Sequence, residues 1–385
     1  MPTFSEIIGL LLTLLILAGG LYGVTSLLCV LRFFRPTKAV SREIAYPPVS
    51  ILKPVRGKDP HFRGNLMSFL TQEYPEYEML LGFASEQDEG LPVAKEVESS
   101  SQRTRVVINE EPSGANPKVS NLRGLVDAAR YPLLLISDSD IRVAPDYLKT
   151  IVAEYLSDRN AGSVTCLKKI VDAESMGAAF ESLALATDLV PSILVARFLE
   201  GMTFALGPSI LLSKDALEGV GGLSALADYL AEDYQIGYRL WQKGRRTILS
   251  RHVIENVVGK MSLAGHVLHQ LRWARTYRAC RPKGFFGFGI THILPFSLLL
   301  LIVQGLGTLS LFLFAGTLAL RVSLFLLLFR KGMCPRGRLR LILFLPLKDI
   351  LSFAIWVWSL CGSRVFWRGR YYRIIRGGLL EKADS

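Results

Sequence analysis

The stretch YPLLLISDSD at residues 131–140 decides the fold expected for this chain. Its apolar run, Tyr131 to Ile136, indicates a buried strand, and the acidic triplet Asp138-Ser139-Asp140 comes just after it. A strand that ends this way presents two carboxylates at the carboxyl edge of a sheet, where open α/β folds bind ligands. Two hard oxygen ligands there suit Mg²⁺ or Mn²⁺ held jointly with a diphosphate. The triplet alone also fits a solvated surface turn, so the remaining sequence has to decide.

Strands and helices alternate around this stretch. The other expected strands are VSILKPV at 49–55, YEMLLGFA at 77–84 and TRVVINE at 104–110, with helices at about 62–71, 91–101 and 119–129. This βαβ rhythm predicts an α/β domain whose parallel sheet binds a nucleotide at its carboxyl edge. No G-x-G-x-x-G follows the first strand, and Walker, H-E-x-x-H and G-x-S-x-G motifs are missing. Dinucleotide-binding folds, P-loop NTPases, zinc hydrolases and α/β-hydrolases therefore lack support.

Charge and hydropathy are distributed unevenly along the 385 residues. Half of the residues are hydrophobic and mean hydropathy is +0.33, with the apolar excess at the two ends and one globular domain from Val49 to Arg281. The net charge of +12 lies largely beside the apolar ends, which suits anionic lipid headgroups. The middle has no basic stripe with interleaved aromatic residues, so no nucleic-acid partner is expected. Five scattered cysteines without a CxxC pair fit a reducing compartment.

An uncharged apolar segment from about Ile7 to Val30 is long enough to cross a bilayer. No basic residue precedes it and RFFRPTK follows it, so residues 1–35 are expected to be a retained anchor and not a cleaved signal peptide. The basic residues that follow are Arg32, Arg35 and Lys38. By the positive-inside rule they place the next domain, residues 45–285, in the cytosol.

A second membrane region is expected over residues 288–363. Ile290 to Phe329 is long enough for two spans that turn at Gly305 and Gly307. Arg321 lies within this run and is expected to snorkel toward the cytosolic interface. The basic loop that follows contains Arg330, Lys331, Arg336, Arg338 and Arg340.

The last apolar run, Leu341 to Leu360, is interrupted by Lys348-Asp349. A full span here would place the very basic tail, residues 364–385, outside the membrane, against the charge rule. The run is therefore expected to be a re-entrant or interfacial element, with the tail in the cytosol.

Five ordered motifs carry a family resemblance: KPVRGKDP at 53–60, NPKVSNL at 116–122, ISDSDI at 136–141, AEDYQIG at 231–237 and HQLRW at 269–273. Together they resemble the ceramide glucosyltransferase family, membrane-bound enzymes of the family 2 and 21 type that use a UDP-sugar. Bacterial enzymes that glycosylate hopanoid lipids share these motifs. The resemblance covers roughly residues 50–280 and implies a Rossmann-like GT-A domain with transmembrane helices at both ends.

The resemblance implies a donor site at the strand ends. Asp138 and Asp140 would bind the Mg²⁺ or Mn²⁺ that offsets charge on the leaving UDP, with Asp140 as the direct ligand. Asp88, in SEQDEG, would lie in the nucleotide pocket, and a solvated acidic loop is the open alternative. Lys53 and the turn after it would line the uracil and ribose. Lys118 would reach a phosphate, with a plain surface lysine as the alternative.

The resemblance also implies a base on the acceptor side. Asp233 resembles the family's catalytic base, which takes the proton of the attacking hydroxyl, while Glu232 points elsewhere. An acidic pair favoured by the dipole at a helix amino terminus is the structural alternative.

HQLRW resembles the [QR]xxRW motif of cellulose and hyaluronan synthases, with His269 in the first position. His269 is expected to contact the diphosphate and Arg272 to bind a phosphate through both arms of its guanidinium. Trp273 is expected to contact the sugar or the lipid headgroup. An amphipathic helix at the membrane interface is the alternative, and the two are compatible.

The apolar stretch 176–201 is expected to be a core helix and the best path for a lipid acceptor. The combined expectation is a multi-pass integral membrane enzyme, preferably of a bacterial inner membrane, with its catalytic domain in the cytosol. It would move a hexose from a UDP-sugar, with UDP-glucose preferred, to a hydroxyl of a lipid such as ceramide, with inversion. The alternatives are a UDP-N-acetylglucosamine-dependent hopanoid glycosyltransferase and a processive polysaccharide synthase; a non-enzymatic scaffold would not require these acidic motifs.

Overall fold

The computed structural model describes residues 3–36, 45–111, 113–335 and 337–382. Two of the expected basic residues beside the membrane segments, Lys38 and Arg336, lie outside the described residues. The strands are β1 (Val49–Pro54), β2 (Tyr77–Phe83), β3 (Thr104–Ile108), β4 (Leu133–Ser137), β5 (Ile141–Arg142), β6 (Ala161–Ala173), β7 (Ser209–Ser213), β8 (Arg246–Gly259), β9 (Arg364–Trp367), β10 (Arg370–Ile374) and β11 (Leu380–Lys382).

The helices connect these strands and extend beyond them at both ends. They are α1 (Phe4–Phe33), α2 (Phe62–Leu70), α3 (Leu91–Ser100), α4 (Pro117–Ala128), α5 (Tyr147–Ser157), α6 (Met176–Ala184), α7 (Val190–Glu200), α8 (Lys214–Gly219), α9 (Glu232–Gln242), α10 (Leu263–Cys280), α11 (Pro282–Phe288), α12 (Ile293–Gln304), α13 (Thr308–Arg330) and α14 (Leu345–Ser359). A π-helical turn, Leu185–Leu189, joins α6 to α7.

Eight strands form one sheet in the order β3-β2-β1-β4-β7-β6-β8-β5. The first four are parallel, as the βαβ rhythm predicted. Beyond β4 the sheet becomes mixed, because β7 runs antiparallel to both β4 and β6. The chain leaves β6 at one end of the sheet and returns from the α6–α7 helices at the same end, which reverses β7.

The sheet has apolar layers on both faces. All six residues of β1 are buried, and successive side chains enter different clusters: Ile51 packs with α2 residues such as Phe62, whereas Leu52 packs with α4 residues such as Leu122. This alternation is the period-2 arrangement of a strand covered on both faces. Burial on both sides holds the carboxyl end of β4, and the acidic triplet after it, in a defined position.

Within the part of the chain that the structure describes, four helical segments are long and apolar enough to cross a membrane: Phe4–Phe33, Met176–Glu200, Thr308–Arg330 and Leu339–Ser359. A bent pair, Pro282–Thr291 and Ile293–Gln304, meets the same criterion jointly with a bend of 57°. The expected turn is present, because Gly305 ends α12 with φ +74° and Gly307 precedes α13. The first of the two expected spans is bent. Its second part, α12, is only 12 residues long, and the span reaches full length only together with Pro282–Thr291.

The charged residues in the long apolar helices differ from the sequence expectation. Arg321 does not snorkel to the interface: it is buried and contacts Asp349 and Asp188. Lys348-Asp349 do not interrupt the last apolar helix either, because Lys348 pairs with both of these aspartates. Mutual neutralisation reduces the cost of burying these charges, and it lets the helix continue to Ser359.

The tail after Arg364 is not a free basic segment. It forms a three-stranded antiparallel sheet, β9 to β11, that packs Val365, Tyr372 and Leu380 around Leu230. The backbone N–H of Leu380 donates to the carbonyl of Asp228 at 2.7 Å, just before α9. The C-terminal sheet is therefore docked beside the segment that carries Glu232 and Asp233.

Candidate functional site

A cavity of about 1120 Å³ extends from the carboxyl ends of the strands to the apolar helices α7, α11 and α14. Its strand-end half is lined by Asp138, Asp140, Lys118, Asp233 and side chains of α10. Its other half is lined by apolar residues of α7, α11 and α14. One cavity thus connects a charged end and an apolar end.

The acidic triplet lies where the strand pattern placed it. Asp138 Oδ1 forms an ion pair with Lys118 Nζ at 2.8 Å, and Asp140 Oδ2 accepts a hydrogen bond from Asn256 Nδ2 at 2.6 Å. Between them, the Ser139 hydroxyl donates to Asp59 Oδ2 at 2.5 Å. Burial, then the nearby Asp138 carboxylate, raises the pKa of Asp140 to about 6. Three carboxylates therefore gather around one serine.

The carboxylates of Asp138 and Asp140 are candidate ligands for a cation. Asp140 Oδ1 is buried and has no hydrogen-bond partner among the described residues. The described residues contain no group of three His, Cys, Asp or Glu side chains that could hold a metal by themselves. Asp138 and Asp140 consequently fit a divalent cation that takes its other ligands from a bound diphosphate, as Mg²⁺ does with nucleotides.

Lys118 connects the metal-side acids to the base-side acids. It lies in the first turn of α4, whose start is capped by Asn116 Oδ1 accepting from the Lys118 backbone at 2.8 Å. Its Nζ is 2.8 Å from both Asp138 Oδ1 and Glu232 Oε1. Burial alone would lower the pKa of Lys118, but the carboxylates of Asp138 and Glu232 outweigh it and raise the pKa.

Asp233 lies in the first turn of α9 and lines the cavity. Its Oδ2 accepts from the backbone N–H of Gly207 at 2.8 Å, and its Oδ1 accepts from that of Tyr234 at 2.8 Å. A Cβ on Gly207 would lie only 2.7 Å from Asp233 Oδ2, so this close approach requires glycine. Burial, then the neighbouring Glu232, raises the pKa of Asp233 to about 6. Glu232 instead forms an ion pair with Lys118, so the two neighbouring acids have different partners.

The two residues expected around the nucleotide base differ in placement. Asp88 lines the cavity, and its carboxylate accepts from the backbone N–H groups of Gly57 (2.9 Å) and Gly90 (2.8 Å). Lys53 does not line the cavity: it is fully buried below it, and its Nζ donates to the Asp138 carbonyl at 2.9 Å. The expected contact of Lys53 with the nucleotide is corrected accordingly, because this side chain supports the turn of the acidic triplet from inside the core.

The HQLRW motif lies on α10, and all three expected residues line the cavity. His269 Nδ1, however, is 2.8 Å from Glu181 Oε1, and its ring lies 4.6 Å from that of Trp273. The structure thus places His269 against a buried carboxylate on α6, which orients the ring. Arg272 forms no salt bridge with a described residue, and burial lowers its pKa to about 10. Its guanidinium remains available for an anion.

Arg368 was missed by the sequence reasoning. It occupies the tight turn between β9 and β10 with φ +50°, and it lines the cavity beside Trp367 and Gly369. It forms no salt bridge with any described residue, and burial lowers its pKa, partly offset by the carboxylates of Asp138 and Glu232. The signal was present as VFWRGRYYRI, two strand-like runs around an Arg-Gly turn, but the basic composition suggested a tail.

Two acidic residues were also missed. Asp59 lies within KPVRGKDP but received no role, and burial raises its pKa beside Ser139 and Asp138. Glu181 lies in the apolar stretch 176–201, where it contacts His266, His269 and Gln270. No local pattern identifies either residue, because their partners are distant in the sequence.

Comparison with known proteins identifies similar chains. A family model described as glycosyl transferase family 21 matches residues 11–380. Ceramide glucosyltransferase 1 of Caenorhabditis elegans is 34% identical over 247 residues, which cover 62% of this chain and 53% of that protein. Ceramide glucosyltransferase 3 of the same nematode is 26% identical over 361 residues, covering 90% of this chain and 76% of that protein. The chain thus spans about half the length of the first of these relatives.

A solved structure has the same fold over most of its length. It is a mannosyltransferase from Pyrobaculum calidifontis in complex with GDP-Man and Mn²⁺, and it superposes with a TM-score of 0.53 at 18% identity. The match covers 92% of this chain and 99% of that structure. The α/β domain with its curled, parallel-rich sheet is therefore a GT-A fold, as predicted.

Proposed function

Since this chain belongs to glycosyltransferase family 21, we propose that it transfers a hexose from a UDP-sugar to a hydroxyl of a membrane lipid, with inversion at the anomeric carbon. The observation that carries the proposal is the continuous cavity, which joins Asp138 and Asp140 at the strand ends to the membrane helices and has Asp233 on its wall. In such a cavity a water-soluble donor can react with a lipid whose acyl chains stay in the membrane.

The donor occupies the strand-end half. Its diphosphate lies against Lys118, Arg272 and Arg368, whose positive charges offset the charge that develops on UDP. Arg272 and Arg368 form no salt bridge with a described residue, so neither has to break an ion pair before it binds. Asp138 and Asp140 would hold a Mg²⁺ or Mn²⁺ ion, which would supply further charge neutralisation at the leaving diphosphate.

Asp233 acts as the general base. Its carboxylate accepts the proton of the lipid hydroxyl as that oxygen bonds to the anomeric carbon and the bond from that carbon to the diphosphate oxygen breaks. The two backbone N–H donors from Gly207 and Tyr234 hold the carboxylate in place. A pKa of about 6 keeps Asp233 mostly ionised at neutral pH while making it more basic than an ordinary aspartate.

The acceptor enters from the membrane half. Both nematode relatives are named ceramide glucosyltransferases, and the apolar lining supplied by α7, α11 and α14 suits a lipid better than a growing polysaccharide. UDP-glucose and ceramide are therefore the preferred substrates. A hopanoid with UDP-N-acetylglucosamine is tested beside them.

The decisive experiment is a transfer assay with the detergent-solubilised full chain. UDP-glucose with a short-chain ceramide should give a glycosylated lipid in the presence of Mg²⁺ or Mn²⁺, and NMR of the product should show the β-anomer. Transfer only from UDP-N-acetylglucosamine to a hopanoid would establish the other lipid acceptor. A polymer, or no lipid product with any pair, would refute the proposed function.

The same proposal places the catalytic domain and the C-terminal sheet in the cytosol, preferably at a bacterial inner membrane. Arg370 is exposed on β10 and suits an introduced label site. In a Cys361→Ser background, Arg370→Cys should react with a membrane-impermeant maleimide only after the cells are opened. Labelling of intact cells from outside would refute this orientation.

A further inference from the structure

The membrane half of the cavity contains a small group of polar side chains in an otherwise apolar wall. His292, Ser352 and Asp188 line it, together with aromatic residues such as Phe288 and Trp356. None of the three belongs to the donor or base machinery described above. Polar groups at membrane depth are costly and are commonly retained for binding or transport.

His292 has an unused hydrogen-bonding atom. Its side chain is only 6% exposed, and Nε2 is buried without a hydrogen-bond partner among the described residues. The ring is packed between Phe288, Phe353 and Trp356, at ring-centroid distances of 5.5 to 5.6 Å. A buried polar atom left unpaired costs free energy, and a ligand that pairs with it recovers that cost.

Ser352 of α14 lines the same half of the cavity, and Asp188 orients its side chain. Its hydroxyl donates to Asp188 Oδ2 at 3.2 Å, which leaves the oxygen lone pairs for another donor. Asp188 is held in turn by Arg321 and Lys348, both at 2.8 Å. With Asp349, these residues form a cluster of two acids and two bases whose charges cancel. The group that the cluster presents to the cavity is therefore polar but carries no net charge.

The backbone is irregular at both sides of this group. Asp188 lies in the π-helical turn Leu185–Leu189, and His292 lies at the 57° bend between the paired helices. π-helical turns occur frequently at functional sites, and broken helices at membrane depth are tolerated where they line a cavity. A charge cluster that only joined helices would require neither irregularity.

We propose that His292 and Ser352, with Ser352 oriented by Asp188, form the binding site for the uncharged headgroup of the acceptor lipid. The site recognises an amide or hydroxyl of the same lipid whose reacting hydroxyl Asp233 deprotonates. Ser352 accepts a hydrogen bond from that group, and His292 Nε2 pairs with a second polar atom. The neutral cluster and the aromatic surroundings of His292 disfavour charged phospholipid headgroups. This inference rests on the proposed function and specifies the lipid class that it uses.

The test uses the full chain in detergent with two acceptors: a short-chain N-acyl amino alcohol, and its analogue in which an ester replaces the amide. Ser352→Ala and His292→Phe should each raise the acceptor KM about threefold to tenfold, the range expected for one hydrogen bond. His292→Gln, which retains a hydrogen-bonding group, should recover part of the loss. UDP affinity should be unchanged in all three variants. With the ester analogue, the effect of Ser352→Ala should fall below about twofold if the amide N–H is the group recognised.

Ser359→Ala is the matched control, because Ser359 is fully buried in the same helix and donates within the helix to the Trp356 carbonyl. It should leave the acceptor KM at the wild-type value. If Ser352→Ala raises the acceptor KM equally for the amide and the ester lipid, the recognised group is a hydroxyl and not the amide N–H. That result still supports the binding site. Acceptor KM values at the wild-type level in both Ser352→Ala and His292→Phe would overturn the inference.

Lipid binding without donor separates this inference from the proposed function. The amide lipid should raise the melting temperature of the wild type, and Ser352→Ala and His292→Phe should reduce that shift. If the wild type binds the lipid in this manner but transfers no sugar, the proposed function fails and the binding site stands. If the wild type transfers sugar and neither variant changes binding or KM, the site fails and the function stands.

Discussion

The two halves of the cavity contain similar charged residues but compensate them differently. At the strand ends, Asp140, Asp233, Arg272 and Arg368 line the cavity and form no salt bridge with any described residue. At the apolar half, only Asp188 of the charge cluster lines the cavity, and the acids Asp188 and Asp349 pair with Arg321 and Lys348 at 2.5 to 2.8 Å. Charges that lack a partner are available to ligands, whereas charges paired in a low-dielectric environment mainly hold helices together. Substitutions at the first end should therefore affect turnover, and those at the second should affect stability.

The largest effect is expected for Asp140→Ala. Removal of this carboxylate takes away one of the two proposed metal ligands, so metal-dependent transfer should fall to background. The protein should remain in the membrane, because its helices are untouched. Transfer assays with and without EDTA measure the effect, and Asp172→Ala, a partly exposed acid on β6, is the control. Undiminished transfer by wild-type protein in EDTA would show that no metal is needed.

Asp233→Asn should reduce kcat by about 10²- to 10⁴-fold, the usual contribution of a general base. Asparagine preserves the shape and can still accept from Gly207, but it cannot take the proton. UDP affinity, measured by calorimetry, should stay near the wild-type value. Loss of UDP binding, or turnover at the wild-type rate, would move the base to another carboxylate, and Glu232 would be tested next.

Asp349→Ala should act on stability and not on chemistry. It leaves the buried charges of Arg321 and Lys348 with one acid between them, and breaking such a pair costs about 3 kcal/mol. The melting temperature in detergent should fall while UDP affinity is retained. The double variant Lys348→Met/Asp349→Ala restores neutrality and should recover much of the loss. Equal melting temperatures for single variant and wild type would contradict this division between the two halves.

Arg368→Ala should raise the donor KM by about tenfold or more, because a charge-assisted hydrogen bond to phosphate is worth about 1.5 to 3 kcal/mol. Arg368→Lys should recover only part of the affinity, since a lysine lacks the planar fork of the guanidinium. Arg370→Ala, an exposed residue of the same hairpin, is the control. A donor KM equal to that of Arg370→Ala would remove Arg368 from the donor site.

The smallest effect concerns pH. The base must be ionised to accept a proton, and the pKa of Asp233 is raised to about 6. Values of kcat/KM should therefore be constant above this pH and fall about tenfold per unit below it. A profile that is flat down to pH 4.5 would exclude Asp233 from the rate-controlling ionisation.

Local patterns predicted those parts of the site that follow strands or begin helices. The run 131–140 predicted the position of Asp138 and Asp140, and AEDYQIG predicted Asp233 at the start of α9. Lys53 was misplaced because a residue at the end of a strand can face the cavity or the core, and only the packing of Phe69 beneath it decides which. Arg368 was missed because its neighbour in space, Asp138, is far away in the sequence.

The sequence by itself determined the periodic features of this protein: the parallel half of the sheet, the apolar helices, and the acidic triplet at a strand end. These depend on burial of one face or one stripe, which neighbouring residues encode. The tertiary structure alone decided the antiparallel return of β7, the pairing of Arg321 inside the helices and the position of Arg368 at the cavity. Each of these depends on which distant segment supplies the opposite charge or the next strand, and no local period carries that information.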